Sequence, residues 1–203
     1  MATDPRRAIL EGAARLIAQR GARGLRMEEL AAEAGVSTAL IYYHFKDRAG
    51  VLRKTLEFIS DRAERYTADG DRTAEPHDAR HELEQSLLLE FQDTPEVREN
   101  STAWGELRAS AIFEPALRGD LACATLTWIH EIAALLGRIQ PTAAAPTLTA
   151  AAERLTGLLE GLSTRWLSGT LPLSHARRLV REAVSIEIQH LTRGQHQGPE
   201  GDA

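Results

Sequence analysis

The chain of 203 residues holds a single cysteine, Cys123. No disulfide can close within it, which excludes the stapled scaffold of small secreted domains. Lysine is almost absent: Lys46 and Lys54 stand against 22 arginines. Aromatic residues are only 5% of the chain, so each one outside an obvious core position needs a reason. No uncharged apolar run approaches the roughly 18 residues of a membrane span. The first twenty residues carry Asp4, Arg6, Arg7, Glu11, Arg15 and Arg20, with no apolar stretch of the signal-peptide kind. The expected setting is the cytoplasm, with no membrane partner. There is no G-x-S-x-G elbow, phosphate loop, dinucleotide fingerprint or H-E-x-x-H, so the expectation is that the chain is not an enzyme.

What is present is ordinary globular material, 43% hydrophobic and 26% charged, enough to bury a core in one domain or two small ones. The net charge of −5 hides an asymmetry. Residues 1–50 hold eight basic and six acidic side chains, a balance of +2, and the remainder has a balance of −7. A small anion-facing module on an acidic body fits that split.

The pattern is helical throughout, with no alternating β-branched run and no internal repeat. Ile9, Ala13, Leu16 and Ile17 share one face of a helix over 5–20, which Gly21 stops. Short helices are expected at 27–34 and 37–43, and a longer one at about 48–67. DGDRTAEPHD (69–78) reads as a linker, and QPTAAAPT (140–147) as a second break. Further helices are expected at about 78–92, 95–112, 115–139, 148–168 and 173–193. The polar tail 194–203 is expected to be disordered. The fold class is all-α, about nine helices. Residues 1–50 form a three-helix domain, the helix at about 48–67 links it, and a larger helical domain spans 51–193.

The informative stretch is MEELAAEAGVSTALIYYHFKDR, residues 27–48. Two short helices crossing tightly need a small residue at the contact, and Ala31 supplies it. The turn wants a glycine, because only glycine enters left-handed backbone freely, and Gly35 follows. Val36 plugs the pair, Ser37 caps the second helix, and Ile41 returns to the core beside Leu30 and Ala34. An ordinary helical hairpin would meet these demands too. The next residues separate the readings. Ile41 and Phe45 share the inner face, so Tyr42, Tyr43 and His44 point outward or sideways. Outward hydroxyls beside Lys46 suit a phosphate backbone, where hydroxyls and amines donate to phosphate oxygens.

The block Leu25–Leu52 resembles the DNA-binding domain of the tetracycline-repressor (TetR) family of bacterial regulators, in AAEAGVS, YYHF and Lys46-Asp47-Arg48. The likeness is strong over residues 5–60 and looser beyond. GLLEGLSTRWLSG (157–169) is similar to a subgroup that includes a choline-responsive repressor, a hint about the fold of the body and not its ligand. The resemblance implies a helix-turn-helix reading double-stranded DNA at a palindromic operator. Ser37, Thr38 and Ala39 would open the recognition helix. Tyr42, Tyr43 and His44 would meet backbone or bases, and Lys46 a phosphate. Family members often have threonine where this chain has Arg26, which would itself reach a phosphate beside Met27. The small side chain of Ala39 leaves specificity to Thr38, Tyr42, Arg26 and DNA shape.

The last two helices carry stripes expected to build a homodimer: Leu155, Leu158, Leu159, Leu162 and Trp166 on one, Leu179, Val180 and Ala183 on the other. The alternative is that they serve only the monomer core. Phe58, Phe91, Trp104, Arg108, Phe113, Trp128 and Glu131 are candidates to line a cavity for an unidentified small-molecule effector, with core packing the alternative. An aromatic wall with a carboxylate suits a cation, and the same residues fit many uncharged ligands. His77 and His81 are four apart, but no third ligand is placed by spacing, so neither a metal nor another cofactor is expected. The expected function is a dimeric, ligand-responsive transcriptional regulator, a repressor released from its operator by its effector. The alternatives are a helical adaptor whose motif no longer reads DNA and an all-helical enzyme.

Overall fold

The computed structural model describes residues 4–69 and 78–194. The expected linker and tail fall almost wholly outside these residues, as does His77. Nine α-helices and no strand occur among the described residues: α1 (Pro5–Arg20), α2 (Met27–Ala34), α3 (Thr38–Phe45), α4 (Arg48–Asp69), α5 (Ala79–Leu88), α6 (Pro95–Ser110), α7 (Arg118–Ile139), α8 (Ala145–Leu167) and α9 (Leu173–Gly194). No helix among them is long and apolar enough to cross a membrane. No group of three potential metal ligands occurs there either.

Local chemistry sets the ends. Asp4 caps α1 by accepting from the Arg6 N–H at 3.0 Å, and Pro5 opens the helix, where its missing N–H costs nothing. Thr94 and Pro95 do the same for α6. Gly21, at φ 79°, ends α1. The region expected as one helix from residue 115 starts instead with a 3-10 turn at Pro115–Leu117, and α7 follows it.

The helices group into two compact units, residues 1–70 with 94–124 and residues 71–93 with 125–203. In the first, α1 is the central helix, in contact with α2, α3, α4 and α6. Ile9, Ile17, Leu30, Ile41, Leu52, Leu56 and Leu107 are fully buried there. Each such side chain contributes about 1.5–3 kcal/mol by leaving water. α4 is tied to α6 by Arg62, which donates from Nε to Asn100 Oδ1 at 2.9 Å and from Nη1 to Glu99 at 3.0 Å. Asn100 in turn donates to the Ile59 carbonyl.

The second unit holds α5, the later part of α7, α8 and α9 around Leu83, Leu87, Phe91, Ile132 and Leu136. Arg154 clamps α8 to α9 with two bonds to Glu187, at 2.7 and 2.6 Å. Here the stripes expected to face a partner read differently. Leu155, Leu159, Leu162, Trp166 and Val180 are buried within the chain. One face of each helix is apolar, and the same chain's α5 and α7 residues already cover it. Leu179 and Ala183 are half-buried, and Leu158 alone of the α8 set is exposed. The outward faces are Gly157, Leu158 and Gly161 on α8, and Glu182 and Ile186 on α9.

Candidate nucleic-acid interface

α2 ends in a double hydrogen bond that only a left-handed residue allows. Gly35, at φ 67° and ψ 33°, sends its N–H to the Ala32 carbonyl. Val36 sends its own N–H to the Ala31 carbonyl at 2.9 Å. This is the Schellman arrangement, and it fixes the angle at which the chain leaves α2. Ser37 then caps α3, its hydroxyl accepting from the Leu40 N–H at 3.2 Å. Together the two caps set α3 against α2.

The phase of α3 follows. Ile41 is 0% and Phe45 4% exposed, so both face the core. Tyr42 and Tyr43 are then forced outward, at 48% and 80% exposure. His44 is also exposed and meets the Tyr43 ring edge-on at 5.2 Å. Ser37 and Ala39 are exposed and Thr38 is half-exposed. Arg26 stands exposed at the start of α2 and makes no side-chain cap. Met27 is the exception in this group. Its side chain is 6% exposed and joins the core, because Met27, Leu30, Ala31 and Ala34 share one helical face. No side-chain surface remains there for DNA.

Lys46 closes α3 in an unusual backbone state, φ 67° and ψ −51°. The Asp47 N–H returns to the Phe45 carbonyl at 2.8 Å, making a γ-turn of the rare, strained hand. Asp47 caps α4, its Oδ1 accepting from Gly50 N–H at 2.6 Å. The exposed lysine is thus presented at the corner by a strained residue. Replacing Lys46 with glycine should relax about 1–3 kcal/mol of strain while removing a cation. The expected signature is a higher Tm with weaker DNA binding, and a log–log salt slope smaller by about 0.9 for each phosphate that is no longer neutralised. An unchanged slope would show that Lys46 meets no phosphate.

Arg48, next in the chain, does not face outward. It donates to the carbonyls of Ala22 and Leu25 and to Glu114. From α6, Glu106 accepts the Ala22 N–H at 3.3 Å. The turn before α2 is therefore held from α4 and α6. Ion pairs between Arg15 and Glu33 at 2.8 Å, and between Arg20 and Glu29, join α1 to α2. They neutralise two of the acids on α2. Asp47, Arg48 and Gly50 went unrecognised as supports in the sequence pattern. An Asp three residues before a Gly at a helix start was the available signal.

The effector candidates divide between the units. In the first, Trp104 and Arg108 come together on α6, the guanidinium 5.6 Å from the indole centroid. Phe58 is half-buried beneath Arg62, and Phe113 is 67% exposed beneath Arg23 at 4.2 Å. In the second, Phe91 is fully buried, 6.0 Å from the Trp166 ring, as a core residue. Trp128 is half-buried against that core, and Glu131 is exposed.

Residues 9–55 match the family described as bacterial regulatory proteins of the tetR family, and residues 79–189 match the C-terminal region of BetI-type transcriptional repressors. The chain belongs to the TetR family. A TetR-family regulator from Rhodococcus sp. is 44% identical, with a TM-score of 0.82, over 91% of this chain and 98% of that one. A transcriptional regulator from Saccharomonospora viridis, in complex with choline, is 27% identical, with a TM-score of 0.72, over 91% and 95%. The HTH-type transcriptional regulator BetI of Agrobacterium fabrum is 26% identical over 96% of this chain and 93% of its own length. TetR regulators bind DNA, typically as dimers, and bind small-molecule ligands. This TetR-family chain is a ligand-responsive, DNA-binding transcriptional regulator.

Proposed function

We propose that the protein is a dimeric repressor, acting in the cytoplasm, which a small-molecule effector releases from a palindromic operator. The observation that carries the reading face is the exposure of Tyr42, Tyr43, His44 and Lys46 around an α3 held by buried Ile41 and Phe45. Ser37, Thr38, Ala39 and Arg26 complete that face. Residues 1–50 are the reading domain, α4 is the link, and residues 51–193 carry effector binding and dimerisation. One motif covers little DNA, so two copies spaced by about 34–36 Å, one helical turn, supply operator affinity.

Release needs an effector that prefers the conformation with displaced reading heads, since equal affinity shifts nothing. Trp104 and Arg108 lie on α6. The same helix holds the turn before α2 through Glu106 and grips α4 through Glu99 and Asn100. A shift of α6 therefore reaches the reading face by two routes. Choline in the S. viridis regulator supports a small organic molecule as the effector class.

The test is fluorescence anisotropy on DNA flanking the gene, with a salt titration. Tyr43→Ala with Lys46→Ala should abolish palindrome-dependent binding and leave the circular dichroism spectrum intact. Equal binding by the double variant would defeat the assigned face.

A further inference from the structure

The corner between α3 and α4 holds two cations with different fates. Lys46 is exposed. Arg48 turns its fork onto acceptors of its own unit. Nε donates to the Leu25 carbonyl and Nη1 to both oxygens of Glu114, each at 3.3 Å, and Nη2 donates to the Ala22 carbonyl. Glu114 is itself anchored, because its N–H donates to the Ser110 carbonyl at the end of α6 at 2.9 Å. The other side of Ala22 is held as well. Its N–H donates to Glu106 of α6, whose Oε2 lies 2.9 Å from where a Cβ on Gly21 would stand. Ala22 is 0% exposed. One buried residue between α1 and α2 thus has its N–H held from α6 and its C=O held from α4.

We infer that Arg48 and Glu114 are a positioning pair for DNA reading: they set the orientation of α2 and α3 on α4, and Arg48 does not touch the phosphate backbone. The inference rests on the reading that α3 carries the DNA-facing side chains. Arg48 opens α4, where the positive end of a helix disfavours a cation. Glu114 and the two carbonyls offset that cost. Turning outward to a phosphate would break all of these bonds at once. Lysine cannot take over the task, because one ammonium cannot span the acceptors that the planar guanidinium spans. The pair also predicts a sign that bulk electrostatics reverses. Removing the negative charge of Glu114 makes the unit more cationic, which by charge alone favours DNA. Loss of positioning acts the other way.

The test is fluorescence anisotropy of the full-length protein on operator DNA, across a salt series, well below the Tm of every variant. Arg48→Gln and Glu114→Gln should each weaken operator binding about tenfold. Their double variant should lose no more than the weaker of the two, since both break one network. Arg48→Lys should not restore affinity. The log–log salt slope should stay unchanged in Arg48→Gln, whereas Lys46→Ala should lower it by about 0.9 for each phosphate no longer neutralised. A slope that falls in Arg48→Gln as it does in Lys46→Ala overturns the inference, because Arg48 then meets a phosphate. So does equal or tighter binding by Glu114→Gln, or full recovery in Arg48→Lys. Unaltered binding by Tyr43→Ala with Lys46→Ala would instead defeat the reading of α3 on which the inference rests.

Discussion

Gly50→Ala should lower stability by about 3 kcal/mol, the upper end of what overpacking costs, and should abolish operator binding with it. A Cβ built at Gly50 falls 1.9 Å from the Phe45 carbonyl oxygen. That oxygen accepts from the Asp47 N–H in the γ-turn, so it has nowhere to go without breaking the α3–α4 corner. The corner positions Lys46 and the end of the recognition helix. A fall in Tm of about 10 °C is expected for a chain of this size. Gly105→Ala is the control. It lies inside α6, and an added Cβ meets nothing within 4 Å. It should stabilise by about 0.5–1 kcal/mol, through helix propensity alone. If Gly50→Ala melts with the unaltered protein and still binds operator, the corner is not the rigid support described.

Leu158→Asp combined with Gly161→Glu should turn a dimer into a folded monomer. Both positions lie on the outward face of α8, and a Cβ at Gly157 or Gly161 meets nothing within 4 Å in the chain. The monomer should therefore keep its stability to within about 0.5 kcal/mol. Operator affinity should fall about 10²–10⁴-fold, because the second half-site is no longer held near the first. Leu159→Ala, one position further on, should behave in the opposite way. Its side chain is 1% exposed, so truncation costs about 2–5 kcal/mol and leaves the dimer. Sedimentation and thermal melts separate the two outcomes. A variant pair that stays dimeric would move the interface elsewhere.

These contrasts show which features were legible in sequence. The helix-turn-helix was, because its determinants are local. Gly35 needs left-handed backbone, Ser37 caps the helix that follows, and Ile41 and Phe45 fall four apart, which forces Tyr42, Tyr43 and His44 to the other side. Met27 was read wrongly: its place at the start of α2 suggested a contact with DNA, whereas its side chain is 6% exposed and joins the core.

Partnership of apolar faces was not legible. A stripe such as Leu155, Leu159, Leu162 and Trp166 looks the same whether its own chain or a second copy covers it, since periodicity records a face and not its neighbour. The same limit hid the role of Arg48, whose partners Ala22, Leu25 and Glu114 lie 23 to 66 residues away. It also hid the guanidinium groups over Phe58 and Phe113. By itself the sequence determined which segments are helical, how α2 and α3 are capped and which face of α3 is free, because caps, turns and helical phase act within a few residues. Only the tertiary structure decided which apolar faces are already covered and which arginines are already engaged, because burial and charge pairing join residues far apart in the chain.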